Sequence, residues 1–169
     1  MAFGGDRLIL LADTSILIDL EYVGGIAVLP RIAPCEILDV VLEECRYARQ
    51  PDLVQNIIQS GITVVESTFD LANRASSLRR GGVSTIDMMT LCHAKEYGLT
   101  VLAGDRPLRE RCAEEGVELR GSIWIVEEAQ RQNLVEAAEL LRWLSVWPTV
   151  GRRLPVVELE RLRRLLTAE

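Results

Sequence analysis

Short apolar runs that end abruptly in aspartate are the feature that most restricts how this chain can fold. Residues 8–12 are apolar and lead directly into Asp13, and the run LTVLAG leads directly into Asp105. A continuous apolar run of this length is typical of a central strand of a parallel sheet, because such a strand is buried on both faces. Both aspartates are therefore predicted to leave the same edge of one sheet.

Segments with helical spacing alternate with these runs. Further strands are predicted within CEILDVVLEEC, ITVVE and VELRG, and the clearest helix, STIDMMTLCHAKEYG, is predicted to end at Gly98. A helical piece in GGIAVLP is predicted to stop at Pro30, and the helix in STFDLANRASSLRRGG to start at a Ser67 or Thr68 cap and end on Gly81-Gly82. This alternation predicts an α/β fold with a mainly parallel sheet.

The length of 169 residues predicts one domain. Its α/β core is expected over residues 1–121. The segment SIWIVEEAQRQNLVEAAELLRWLSVW predicts two amphipathic helices, and PVVELERLRRLLTAE predicts a third. Residues 122–169 should therefore form a helical C-terminal extension that packs on, or extends, the same domain.

Four acidic residues are candidates for one functional site. Asp13 and Asp105 follow strands, Asp87 lies near the start of the clearest helix, and Glu44 lies on the helix after the EIL strand. Ligands of open parallel sheets bind beyond the carboxyl ends of the strands, where these side chains could converge. Oxygen donors without histidine suit a hard cation such as Mg²⁺ or Mn²⁺, which would activate water for phosphodiester hydrolysis.

Each acid also has a purely structural interpretation. Asp13 is a candidate helix cap, and Ser84 with Asp87 fits a capping box. Asp105 precedes Pro107, which favours an N-cap there as well. Glu44 alone would usually be a solvated helix residue. For each acid taken alone, the structural interpretation is favoured. Taken together, the order of the four acids and their placement at strand ends favour a metal site.

Composition excludes several other classes of protein. The formal charge is −6, so the chain is not expected to coat nucleic acid, and all of its basic residues except Lys95 are arginine. Four unclustered cysteines and one histidine argue against a zinc site. No long apolar run predicts a signal peptide or membrane span. We expect a cytoplasmic protein with reduced thiols and no membrane partner.

The motifs LLADTSILIDL, DVVLEEC and STIDMMTLCHAKEYGLTVLAGDRPLRERCAEEGVEL together resemble a PIN domain. The resemblance places Asp13, Glu44, Asp87 and Asp105 at the family's acidic positions and Ser15 at its accompanying hydroxyl. It covers residues 8 to about 121. The continuation LRGSIWIVEEAQRQNLVEAAELLRWL is similar to the DUF3368 subgroup, which extends the resemblance over nearly the whole chain.

The resemblance implies a Rossmann-like three-layer α/β/α sandwich and an endoribonuclease that uses Mg²⁺ or Mn²⁺ to hydrolyse single-stranded RNA. It also implies kinship with VapC-type toxins of toxin–antitoxin pairs, which are usually homodimers held by a small antitoxin protein. The alternative is a non-catalytic PIN scaffold that binds RNA or protein. The family register favours Glu44 over its neighbour Glu43 as the ligand, and Glu110 is left unassigned.

Several residues outside the acids carry open alternatives. Four arginines flank the acids in the sequence: Arg79, Arg80, Arg106 and Arg109. They could bind RNA phosphates, and an equally good interpretation is that they lie on solvated helix faces. Trp143 and Trp147 are better explained by core packing than by a dimer or antitoxin contact. The last helix carries an apolar stripe that could pack on the core or bind a partner, formed by Val157, Leu159, Leu162, Leu165 and Leu166.

Overall fold

The computed structural model describes residues 7–168, which contain short strands joined by helices. The strands are β1 (Leu10–Ala12), β2 (Cys35–Leu38), β3 (Thr63–Val65), β4 (Thr100–Leu102) and β5 (Leu119–Arg120). The helices are α1 (Thr14–Val23), α2 (Leu29–Ile32), α3 (Asp39–Cys45), α4 (Leu53–Gln59), α5 (Phe69–Leu78), α6 (Thr85–Tyr97), α7 (Arg106–Glu114), α8 (Ser122–Arg131), α9 (Ala137–Thr149) and α10 (Val156–Thr167). A 3-10 turn, Ile26–Val28, separates α1 from α2.

The strands form one parallel sheet in the order β3-β2-β1-β4-β5. The chain builds the sheet outward from β1 in one direction and then returns to place β4 on the other side of β1. This reversal is a topological switch point, where a crevice opens beyond the carboxyl ends of the two central strands. The backbone N–H of Asp13 donates to the carbonyl of Leu102 at 2.9 Å, so the two strands end side by side.

Helices cover the sheet, so the chain forms the predicted α/β sandwich. Helix α1 packs against α3, α4 and α9, and α6 packs against α5 and α7. Every residue of β1 and β4 is buried, in agreement with their continuous apolar sequence. Strand β3 is an edge strand instead, and Val64 is exposed despite the apolar character of its segment.

Three predicted boundaries were wrong. Pro30 does not end a helix but lies in the first turn of α2, where the missing N–H of proline breaks no helical hydrogen bond. Helix α5 ends at Leu78, before the glycines, because Arg79 adopts an extended backbone. Strand β1 starts at Leu10, and Leu8 is 39% exposed. The predicted cap of α5 is Thr68, whose hydroxyl accepts from the Leu71 N–H at 3.1 Å.

The two tryptophans of α9 lie in the core. Trp143 and Trp147 are 2% and 1% exposed, which confirms the core interpretation. The backbone at Gly25 approaches Trp143 so closely that a β-carbon there would lie 2.8 Å from the ring. The indole N–H of Trp147 donates to the carbonyl of Asp19 at 2.8 Å. Helix α9 is thereby held against α1, the helix that follows the first acid.

The last helix buries only part of its apolar stripe. Leu159, Leu162 and Leu166 are buried, whereas Val157 is 75% and Leu165 41% exposed. Between residues 7 and 168, no helix is both long enough and apolar enough to span a bilayer. All four cysteines are buried and free.

Candidate active site

Asp13 is a buried carboxylate at the end of β1. It is 3% exposed and caps α1, with Oδ2 accepting from the Ser15 hydroxyl at 2.8 Å and from the Ser15 N–H at 3.4 Å. The Ser15 hydroxyl in turn accepts from the Gly104 N–H at 2.9 Å, which links β1 to the residues after β4. Oδ1 of Asp13 is buried and has no hydrogen-bond donor among the described residues. An unpaired carboxylate oxygen in such a place is costly unless a cation or proton compensates it.

The surroundings of Asp13 disfavour its charged form. Burial is the largest cause and the nearby charge of Asp87 the second, and together they raise the pKa of Asp13 from 3.8 to about 6. The hydrogen bonds from Ser15 act in the opposite direction. A carboxylate whose ionised form is disfavoured in this way is stabilised by a bound cation, which supplies the compensating charge.

Asp87 and Asp105 both cap helices, as their alternative interpretations predicted. Oδ2 of Asp87 accepts from the Ser84 N–H at 3.2 Å, and the Asp87 N–H donates to the Ser84 hydroxyl at 3.0 Å, which completes the capping box. Oδ2 of Asp105 accepts from the Leu108 N–H at 3.0 Å at the start of α7. Because the caps of Asp13, Asp87 and Asp105 all use Oδ2, capping leaves Oδ1 of each carboxylate for another ligand.

The structure brings Glu44, and not Glu43, to the other acids. The Thr14 hydroxyl on α1 donates to Oε1 of Glu44 at 2.5 Å. Glu43 points outward, where it forms an exposed ion pair with Arg46 at 2.8 Å. Glu44 also lies close enough to Asp87 for its charge to raise the pKa of that residue. We call Asp13, Glu44, Asp87 and Asp105 the acid cluster.

Asp87 is the electrostatic centre of the acid cluster. Burial raises its pKa, and the charges of Asp105 and Glu44 raise it further against the opposing hydrogen bonds from Ser84. Its charge also raises the pKa of Asp13. Sequence reasoning offered two interpretations of Asp87, a capping-box residue and a site acid, and favoured the capping box for the residue taken alone. Asp87 interacts electrostatically with each of the other three carboxylates, which places the four acids in one neighbourhood.

The acid cluster fits a hard divalent cation in its chemistry but does not form a ready-made cage. Among residues 7–168, no three histidine, cysteine, aspartate or glutamate side chains are arranged to hold a metal ion. The donors are all carboxylate oxygens, and Oδ1 of Asp13 is buried without a partner. Mg²⁺ and Mn²⁺ prefer such donors and commonly keep several waters, so a few protein ligands suffice.

The arginines predicted near the acids differ in their surroundings. Arg80 pairs with Glu114 and Arg106 pairs with Glu110, each at 2.8 Å. The second pair turns Glu110 toward solvent on α7. Arg79 and Arg109 are exposed and have no carboxylate partner among the described residues. These last two side chains are free to bind phosphate.

An ion pair near the acid cluster, between the buried Asp19 and the partly exposed Arg152, was missed by sequence reasoning. The guanidinium of Arg152, from the connection between α9 and α10, contacts the carboxylate of Asp19 on α1. It also donates to the Ser15 carbonyl at 3.3 Å. Burial raises the pKa of Asp19 to about 6, although the charge of Arg152 opposes this change. The signal in the sequence was an aspartate at 19 inside the apolar run ILIDL.

Similar structures have the same fold. A PilT N-terminus domain protein, SSO1118 from Sulfolobus solfataricus P2, superposes with a TM-score of 0.54 at 13% identity, over 73% of this chain and 92% of that one. PAE2754 from Pyrobaculum aerophilum superposes with a TM-score of 0.55 at 19% identity, over 75% of this chain and 99% of that one. At these identities the likeness shows the fold alone.

Sequence comparison assigns the family. No curated protein matches the sequence. Residues 9–165 match DUF3368, described as a PIN domain, so the match includes the acid cluster and most of the C-terminal extension. PIN domains are generally nucleases and typically use divalent metals. The chain therefore belongs to the DUF3368 family of PIN domains.

Proposed function

We propose that this protein is an Mg²⁺- or Mn²⁺-dependent endoribonuclease that hydrolyses phosphodiester bonds in single-stranded RNA. The observation that carries the proposal is the acid cluster at the switch point of the sheet, with Oδ1 of Asp13 buried and unpaired. Such a crevice is where open α/β sheets bind ligands. Membership in a family of nucleases supports the reaction class.

The four acids would divide the work by position. Asp13 and Asp105 would be the principal metal ligands, and Glu44 and Asp87 would complete the shell or orient the attacking water. The cation, when bound, supplies a water of lowered pKa and compensates charge on the phosphate. Ser15 fixes the orientation of Asp13, and Thr14 fixes that of Glu44, through the hydrogen bonds described above.

Substitution of the two proposed principal metal ligands tests the proposal. Asp13→Asn and Asp105→Asn keep a capping oxygen but remove the charge. We expect each to reduce Mn²⁺-dependent cleavage of a fluorophore-quencher single-stranded RNA by at least about a hundredfold. The matched control is Asp52→Asn, an exposed residue whose side chain makes no capping bond, and it should retain full activity. Full activity of either ligand variant would refute the proposal.

A second candidate function is a non-catalytic PIN scaffold that binds RNA or protein. The observation that favours it is the lack of a preformed metal cage among the described residues, together with the capping roles of the three aspartates. Calorimetric titration with Mn²⁺ separates the two candidates. Absence of binding, both to the free protein and to its mixture with RNA, would favour the scaffold.

We also propose that the nuclease acts as the toxin of a toxin–antitoxin pair, as a homodimer that a small antitoxin protein inhibits. The resemblance of the sequence motifs to PIN domains, which implies kinship with VapC-type toxins, supports this role. Induced expression of the wild-type chain should arrest bacterial growth, whereas Asp13→Asn should not. Normal growth of bacteria that express the wild-type chain would contradict the toxin role if the purified chain cleaves RNA in vitro. Light scattering would measure the oligomeric state.

A further inference from the structure

A basic cleft opens beside the acid cluster. It has a volume of about 640 Å³ and lies between the β5–α8 connection and the α9–α10 connection. Gly104, which immediately precedes Asp105, is part of its wall. The cleft is lined by six arginines: Arg106, Arg109, Arg120, Arg152, Arg153 and Arg161. We call it the arginine cleft.

The arginine cleft is positive although the chain as a whole is acidic. Only three carboxylates line it, against six guanidinium groups, while the formal charge of the chain is −6. Asp19 is occupied by Arg152, and Glu127 and Glu158 are both occupied by Arg161, at 2.5 and 2.7 Å. The carboxylates that line the cleft therefore do not neutralise the positive charge of its other four arginines.

Two of these arginines form no ion pair with a carboxylate among residues 7–168. Arg106 and Arg120 pair with glutamates next to the cleft, but Arg109 and Arg153 are exposed and pair with no carboxylate. Arg109 comes from α7 in the core, and Arg153 from the C-terminal extension. The free guanidinium groups thus belong to both parts of the chain and line the same cleft.

The position of Arg109 points to an anionic ligand. Its terminal nitrogen lies so near Gly121 that a β-carbon there would be 3.2 Å away. Gly121 is the N-cap of α8, which has no side-chain cap, and the amino end of a helix carries partial positive charge. The first residue of α8, Ser122, already hydrogen-bonds Asp19. A phosphate beside Arg109 would be bound by the guanidinium and also favoured by the amino end of the helix.

We propose that the arginine cleft binds the phosphodiester backbone of single-stranded RNA next to the scissile bond, with Arg109 and Arg153 as its phosphate contacts. The inference rests on the proposed ribonuclease function and identifies the surface along which the RNA substrate would bind. Guanidinium groups donate two parallel hydrogen bonds to a phosphate, which suits them to this contact. The volume is that of a site for a drug-sized molecule, and so holds about one or two nucleotides.

Binding to a short fluorescein-labelled oligouridylate tests the proposal. Fluorescence anisotropy is measured in Mg²⁺ on the Asp13→Asn background, so that cleavage does not consume the probe. The test variant adds Arg109→Ala and Arg153→Ala. The matched control adds Arg163→Ala and Arg164→Ala, two exposed arginines of α10 that do not line the cleft. Both variants lose the same charge, so they differ only in where it is lost.

We expect the cleft variant to bind the probe about tenfold or more weakly, and the control to change the Kd less than twofold. The slope of log Kd against log salt should fall by about 0.7 for each lost phosphate contact in the cleft variant only. Equal losses in both variants, or none in the cleft variant, would overturn the proposal. Binding of poly-glutamate in preference to RNA would also overturn it, in favour of an acidic protein partner.

The two proposals fail in different ways. If the wild-type chain cleaves RNA but the cleft variant binds the probe normally, the cleft assignment fails and the nuclease stands. If the cleft variant loses binding and the wild-type chain does not cleave in Mg²⁺ or Mn²⁺, the cleft stands and the nuclease fails. Coincident thermal unfolding of test and control variants excludes misfolding as the cause of a loss.

Discussion

Asp13 should destabilise the metal-free protein, and Asp13→Asn should therefore be more stable than the wild type. The pKa of Asp13 is raised from 3.8 to about 6 in the folded protein. A tenfold change in an ionisation constant corresponds to about 1.4 kcal/mol, so the ionised side chain costs about 3 kcal/mol of folding free energy. Asparagine carries no charge, and its amide oxygen can still accept from Ser15.

The pH dependence has a definite sign. Between about pH 4 and 6 the folded state keeps the proton of Asp13 that the unfolded chain has lost, so wild-type stability falls as pH rises through this window. Above pH 6 both states are ionised and the difference from Asp13→Asn is constant. The advantage of the variant should thus be about 3 kcal/mol at pH 8 and vanish near pH 4.

Urea denaturation of both proteins in EDTA at several pH values measures this difference. At pH 8 the variant should also melt higher by roughly 6–12 °C. Asp52→Asn, at an exposed position, should change the unfolding free energy by less than about 0.5 kcal/mol at any pH. A variant less stable than the wild type at pH 8, or a difference that does not vary with pH, would refute the reasoning.

Three further predictions concern the same elements. Mn²⁺ at about a hundred times its Kd should raise the unfolding free energy of the wild type by about 2.7 kcal/mol but not that of Asp13→Asn, and equal increases would contradict metal binding at the acid cluster. Ser15→Ala removes a hydrogen bond that lowers the pKa of Asp13, so the acidic limb of the pH–rate profile should move to higher pH, whereas Ser15→Thr should leave it in place. Gly25→Ala should cost about 1–3 kcal/mol by urea denaturation, because its β-carbon would meet the Trp143 ring, while Gly82→Ala, with its nearest contact at 3.6 Å, should cost little.

Much of the fold could be predicted because its signals are local. Apolar runs ending in aspartate marked β1 and β4, and helical spacing marked the segments between strands and the C-terminal extension. Local signals also identified Ser84 and Asp105 as caps. The end of α5 was missed because glycines at 81 and 82 are obvious breakers, whereas the actual change is the extended backbone of Arg79.

The rest depends on contacts between distant parts of the chain. The strand order, which makes β1 and β4 neighbours, is set by packing and not by any single segment. Asp19 and Arg152 are separated by most of the chain, and no periodicity joins them. The central position of Asp87 in the acid cluster follows from the charges around it, which one-dimensional spacing does not contain. The arginine cleft is likewise formed by helices and connections from both parts of the chain.

The use of Oδ2 by the helix caps has a consequence for how this family evolves. A lineage that lost its chemistry would still be selected to keep a capping oxygen, from aspartate or asparagine, at positions 13, 87 and 105, since removal of a helix cap costs about 1 kcal/mol. Glu44 caps no helix and is free to drift once catalysis is no longer selected. Comparison of relatives at position 44 should therefore separate working enzymes from inactive descendants more sharply than the presence of a capping residue at the other three positions.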